Sequence, residues 1–443
     1  MRDEAEVATL LARARDAVDL ARSAGAVDVF AEASRGRSVE FRARNGVIEK
    51  VTEATTRSLS LEVWVDGRYG ASSTTDLRAD RLGSFVVDVV DLTRALEPDP
   101  DRRIADPALY AGRSTVDLAL ADDAVRAVTR EEHLAVLAAL AAETVGEDGV
   151  LSAAGSSSTY ASTAAAVSSN GFEGITDGTS QWLGADVTMR DEGDKRPEAG
   201  MSAGARFRAD LPDPASVGQQ ALAWARARVG AEKGQTVTTA LIVHPRVAAR
   251  LIGGLLAAAD GAAVQQGRSF WTSRMDRAVV SPLLTITDDP LVPKGLGSRL
   301  WDNEGLAAKA LPLIADGRLQ NLYLDTTYAR KLGRPPTTGT SSNRMIGLGT
   351  RDLPALLGAA SSAIHVTSWL GGNLNDTTGD FSFGLRGHKV DRGVVGAPVS
   401  EMNVTGNIVD LFASLVEVGS DPWPYGTTRS PTLVFENVQF SGV

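Results

Sequence analysis

Not one of the 443 residues is cysteine. No disulfide and no thiolate metal cluster can staple this chain, so its fold must be held by burial. A chain of this length divides into roughly two or three domains, each large enough to bury a core of its own. With 43% apolar and 23% charged residues, the composition is that of a globular protein rather than a disordered or fibrous one. Its four histidines, His133, His244, His365 and His388, are too far apart in sequence for any two to form a local metal site. Lysine plus arginine number 45 against 55 aspartates and glutamates, a net charge of -10 that argues against a nucleic-acid backbone as partner. The first six residues are polar and charged where an export signal needs a basic and then an apolar segment, and no later run reaches the roughly 18 apolar residues of a bilayer span. A cytosolic location, with neither membrane nor nucleic acid as partner, is the expectation.

Apolar residues at Val7, Leu10, Leu11, Ala14, Val18 and Ala21 mark one face of a helix over residues 5–24. Short strands are expected at 26–32, 37–44, 47–53 and 59–65. Asn45-Gly46 turns the second into the third, because both residues tolerate the positive φ of a two-residue hairpin. A helix over 80–96 stops before Pro98 and Pro100, and a connector follows to 113. Residues 117–143 return to helical composition and carry His133 beside Glu131 and Glu132, which reads as a surface pair. Residues 150–190 alternate as strands about an Asn170-Gly171 turn, 191–198 form a polar loop, and 217–229 a short helix. Glycines at 230 and 234 bracket a domain boundary. Beyond it lie a strand at 236–243, a helix at 245–259 and then short strands and glycine turns to the end. The fold class implied is α+β, with an amino-terminal α/β region rich in hairpins over 1–230 whose candidate point of subdivision lies near 98–116. A strand-rich domain with a curved or barrel-like sheet follows over 231–443. Gly295-Leu296-Gly297 lacks the third glycine and the strand-to-helix setting of a dinucleotide loop.

Several blocks of the second half occur in an order that resembles the TldD/PmbA family, and its PmbA (TldE) branch in particular. They are residues 243–267, Asp302 to Gly305 with 313–319 downstream, Gly339-Thr340-Ser341-Ser342-Asn343, 371–383, and Glu401-Met402-Asn403-Val404-Thr405-Gly406-Asn407. Arg44-Asn45-Gly46-Val47 and Gly67-Arg68-Tyr69-Gly70 extend the resemblance into the first half. In the TldD branch a helix carries His-Glu-x-x-x-His, and a cysteine near the carboxy terminus completes a zinc site. Zinc needs convergent lone-pair donors, and the glutamate takes a proton from metal-bound water. On the matching helix here, Gly253 and Ala258 stand at the two histidine positions and Gly254 at the glutamate position. The cysteine-bearing loop falls at 421–430, again without cysteine. These are vestigial metal-site positions, so the resemblance implies no catalytic residue and no cofactor in this chain, with zinc held instead by a TldD-like partner.

Polar residues remain that suit peptide contact. Asn373, Asn375, Asp376, Thr377, Asp380, Arg386 and His388 form one constellation in sequence, able to satisfy amides and carbonyls of an extended strand. A turn network that closes two strands is the simpler reading of the same residues. Arg344 follows a donor-rich loop and can fork onto a peptide carboxylate. By the resemblance, this chain is a substrate-handling partner of a TldD-like zinc peptidase acting on unfolded proteins or peptides, with a homodimer in isolation also compatible with it. The family's association with DNA gyrase enters only by analogy, and the acidic composition gives no reason to expect DNA binding. An autonomous peptidase or amide hydrolase with an unrecognised site, and a stand-alone peptide-binding protein, are the alternatives.

Overall fold

The fold was obtained as a computed structural model and is described for residues 3–443. The amino-terminal half is a six-stranded antiparallel sheet in the order β3-β2-β1-β4-β5-β6. Its strands are β1 (Asp28–Arg44), β2 (Val47–Val65), β3 (Arg68–Thr74), β4 (Val150–Ser168), β5 (Glu173–Met189) and β6 (Glu198–Ala205). The four short strands expected before residue 65 are thus two long ones. Small polar residues in the middle of β1 pair straight across to β2, as in Ser34 with Ser58 and Gly36 with Thr56, so the ladder continues where apolar alternation lapses. Asn45 and Gly46 both have positive φ and make the tight turn between them.

Helices α1 (Glu4–Ser23), α2 (Ala79–Arg94), α3 (Asp123–Arg126), α4 (Arg130–Ala142) and α5 (Pro214–Arg226) complete this half. The 117–143 segment is therefore only partly helical. Asp122 caps α3, a capping box of Thr129 and Glu132 starts α4, and the residues before them run extended. Helices α1 and α2 press Leu10, Val18, Leu82 and Val86 onto Val29, Ala31 and Ala33, while α4 and α5 press Leu137, Leu140 and Leu222 onto the part of the sheet holding Val39 and Phe41. All these β1 residues are odd-numbered and share one face of the strand. The opposite face, through Phe30, packs with Phe172, Tyr110 and Leu306 of the other half. His133 is buried rather than at the surface: it stacks on Phe41 at 4.9 Å, and its Nδ1 lies 2.8 Å from Ser157 Oγ.

The carboxy-terminal half begins with β7 (Glu232–Lys233), β8 (Val237–Val243), α6 (Pro245–Ala257) and α7 (Gly261–Gln265). Then come β9 (Ile286–Asp289), β10 (Leu311–Ala315), β11 (Arg318–Leu319), α8 (Thr326–Leu332), β12 (Asn343–Ile346) and α9 (Leu353–Ala359). The chain ends with β13 (Ser362–Leu374), β14 (Asp380–Asp391), β15 (Val394–Asn407), α10 (Ile408–Ala413), β16 (Leu415–Val418), β17 (Thr428–Arg429) and β18 (Leu433–Ser441). Strands β8, β13, β14, β15 and β18 pair in a ring, because β15 returns to β18 through Asn403 opposite Ser441 and Val404 opposite Phe440. The expected barrel-like sheet is a closed five-stranded barrel. A smaller sheet, β11-β10-β9-β12-β17, lies beside it, and the barrel interior, α6 and this sheet share one core that includes Leu251, Leu255, Trp271, Phe383 and Phe435. Among the described residues no helix is long and apolar enough to cross a membrane.

Candidate functional site around helix α6

Helix α6 starts where His244 turns its imidazole back, Nδ1 accepting the backbone N–H of Arg246 at 3.1 Å, and Pro245 occupies the first turn. Two indoles fix the helix from either side: Trp369 Nε1 donates to the Val247 carbonyl and Trp271 Nε1 to that of Leu255, each at 2.9 Å. Arg250 latches it to the glycine bulge of β13, donating to Gly371 O at 2.7 Å while its guanidinium lies 4.3 Å from the centre of the Phe383 ring. Trp271 and Trp369 are therefore anchors of the fold here.

The three family positions on this helix have different surroundings. A side chain starting from Gly253 would enter open space, its first atom meeting only Arg344 Nη1 at 4.0 Å. One starting from Gly254 would press on Leu374 Cδ2 at 2.8 Å. Ala258 is fully buried, and its carbonyl accepts from Ser269 Oγ. Gly253→Ala should therefore raise stability by roughly 0.5–1 kcal/mol, since it removes backbone freedom from a helix interior without a clash. A urea titration checks this, and a destabilised variant would show that the space beside Gly253 is not open.

Arg344 extends from β12, which pairs with β17 through Arg344 and Thr428, and its backbone N–H donates to Thr427 O at 2.7 Å. This places the 421–430 loop against the same site. Ser430, fully buried, donates from Oγ to Pro245 O at 3.1 Å, and Asp421 binds Thr432 and the Leu353 N–H. The Arg344 Nε is buried without a hydrogen-bond partner. Next to it on the neighbouring strand, Asp288 is satisfied by the Tyr323 hydroxyl at 2.7 Å and by Ser342. Helix and loop thus converge, as the resemblance implies, and β12 joins them; the helix presents two glycines and a buried alanine, the Ser430 and Asp421 oxygens of the loop are engaged in hydrogen bonds, and β12 adds a guanidinium. That set does not fit zinc: it contains no histidine, no cysteine and no unengaged carboxylate, and a fixed cation opposes a second one. Among the described residues no cluster of histidine, aspartate or glutamate could hold a metal ion.

The constellation read from 373 to 388 is split by the fold. Asn373 lies near the end of β13 opposite Ser382, close to α6, and the exposed turn that follows carries Asp376 and Thr377. Asn375 Oδ1 accepts from the backbone N–H groups of Thr377 and Thr378. Asp380 accepts from Thr378 Oγ1 at 2.8 Å and Asn407 Nδ2 at 3.1 Å, and these bonds hold its carboxyl below the usual carboxylate range. Asn375 and Asp380 therefore build the turn. Arg386 and His388 lie further along β14, where His388 Nε2 donates to Ala227 O at 2.9 Å just past α5. They do not share a site with the turn.

The fold also assembles something local spacing could not reveal, a column of three histidines. His244 stacks on His365 at 5.9 Å, and His365, paired in register with His388, is 6.3 Å from it. Burial, with Arg246 nearby, pushes the His244 pKa down to about 4, and burial beside His244 and His388 pushes that of His365 down to about 3.

Comparison with known proteins settles the family. Residues 236–442 match the PmbA/TldA metallopeptidase C-terminal domain and residues 27–92 match PmbA/TldA metallopeptidase domain 1. The chain belongs to the PmbA/TldD family, in its PmbA (TldE) branch. The metalloprotease PmbA of Escherichia coli O157:H7 is 29% identical over 412 residues, which span 92% of this chain and 91% of that protein. A Bacteroides thetaiotaomicron crystal structure, described as a proposed modulator of DNA gyrase, is 35% identical with a TM-score of 0.94, covering 97% of this chain and 98% of its own. TldE from Thermococcus kodakarensis shares the fold at a TM-score of 0.86 and 17% identity, over 97% of this chain and all of its own at 100%.

Proposed function

We propose that this chain is a non-metallated, cytoplasmic partner subunit that handles substrate for a TldD-like zinc peptidase acting on unfolded proteins or peptides. The supporting observation is the convergence of α6, the 421–430 loop and Arg344 about an open space beside Gly253 that has the family's frame and none of its donors. In such a subunit Arg344 supplies a fixed charge, its Nε still unpartnered, for a carboxylate or carbonyl of an extended peptide. Asn373, Asp376 and Thr377, exposed nearby at the end of β13 and in its turn, offer polar contacts along the same strand. Zinc, water activation and bond cleavage belong to the partner in this reading.

The test mixes the full-length chain with a TldD-like subunit from the same genome. Co-elution on size exclusion, and cleavage of an unfolded peptide by the mixture with none by this chain alone, is the expected result. Metal-dependent cleavage by the homogeneous chain, or failure of the two to associate at micromolar concentration, would overturn it.

A further inference from the structure

Away from α6, a cleft of about 220 Å³ opens where the amino-terminal half meets the barrel. Four cations line it: Lys195 and Arg196 from the loop after β5, Arg228 from the end of α5, and Arg386 from β14. Arg228 is only 8% exposed and donates from Nη1 to the Glu198 carbonyl. Lys195 and Arg196 spend their side-chain hydrogen bonds on backbone carbonyls. Two carboxylates, Asp191 and Glu401, share the lining, but among the described residues none of the four cations is ion-paired with either or with any other acid. Asp191 instead accepts from the backbone N–H groups of Glu192 and Gly230.

A cation buried without an ion-pair partner is costly, and of the four Arg228 is the buried one. Burial, with Arg246 and Arg386 nearby, holds the Arg228 pKa down to about 10 against the opposing pull of Glu198. The backbone is also irregular at this point. The β14–β15 register slips between Leu385 and Gly387, and Glu401, in the extra stretch of β15, takes a left-handed φ of 52°. Such bulges re-aim side chains and concentrate beside sites of function. Leu370, Pro398 and Val399 add an apolar wall to the same lining.

We infer that this cleft binds an oxyanion carried on a small apolar body, with Arg386 and Arg228 as its charge partners. The C-terminal carboxylate of a peptide and a free phosphate group share the chemistry that the cations recognise. The apolar wall favours the first. None of its lining residues comes from α6, and the site stands whether or not a catalytic partner exists.

Isothermal titration of the full chain with N-acetyl-leucine, N-acetyl-leucinamide and inorganic phosphate tests it. N-acetyl-leucine binding at least about tenfold more tightly than its neutral amide, weakening with added salt, is the expected result; phosphate competing with it identifies the shared oxyanion site, and phosphate alone binding identifies the second source. Arg386→Gln should weaken the preferred anion about tenfold or more, and Arg386→Lys should recover part of the loss. Circular dichroism of both variants separates lost binding from lost fold. If Arg386→Gln cannot fold, the doubly substituted Lys195→Gln, Arg196→Gln chain, altered only in an exposed loop, should still show several-fold weaker binding with a shallower salt dependence. Equal affinity for acid and amide, no binding of either anion, or full affinity in a folded Arg386→Gln chain would overturn the assignment.

Discussion

Gly387→Ala should cost this protein on the order of 3 kcal/mol or more and shift its urea midpoint down without changing the slope. Gly387 lies in β14, between β13 and β15, in the wall of the closed barrel. A methyl group built there would overlap the carbonyl oxygen of His365 and come within 2.9 Å of its carbonyl carbon and 3.1 Å of Val366 Cα. All three obstacles are backbone, so no side chain can rotate away to relieve them. Relief requires β14 to draw back from β13, and in a ring that movement also disturbs β15 and its pairing with β18. The Gly253→Ala substitution makes the contrast informative, since the same added methyl in open helical space has the opposite expected sign. A Gly387→Ala chain within about 0.5 kcal/mol of the parent would mean that the barrel wall yields easily there.

What could be read from the sequence follows from where the determining forces act. The Asn45-Gly46 turn, the helix over 245–259 and the strand before it depend on residues within a turn or two of each other, and the structure has them at α6, β8 and the β1–β2 hairpin. Closure of the barrel depends on Val404 meeting Phe440, a long-range pairing with no local signature. The 373–388 constellation misled because proximity in sequence is not proximity along a strand. From Asp380 to His388 an extended chain travels roughly 25 Å, enough to carry His388 from the turn to the end of α5. The histidine column was hidden for the converse reason: His244, His365 and His388 meet only through the β8–β13–β14 pairings. At α6 itself, the loss of donor side chains was legible residue by residue, but the guanidinium of Arg344 beside Gly253 was not, because β12 reaches it from another sheet.

That column carries the second large expectation, a stability that depends on pH through His365. In the unfolded chain a histidine takes up its proton near pH 6.5, whereas folded His244 and His365 resist until about 4 and about 3. Between those limits the unfolded state binds more protons, so each histidine contributes stability that is complete above pH 6.5 and drains away as the pH falls. Glu304 works in the opposite sense. Burial lifts its pKa to about 7 although Thr326 donates to it from both backbone N–H and Oγ1, so the folded state gains a proton before the unfolded one and this group favours folding as pH drops from 7 towards 4.5. Comparing variants with the parent isolates each contribution. His365→Gln, measured by urea titration at pH 7.5 and again at pH 4, should gain on the parent by about 3 kcal/mol over that interval, because only the parent loses the buried neutral imidazole's contribution. Glu304→Gln should move the other way, holding its best advantage over the parent at pH 7.5 and surrendering it by pH 4.5. Parallel pH profiles for the parent and His365→Gln would mean that the His365 imidazole stays hydrated in the fold, and would remove the reason for treating it as a buried neutral ring.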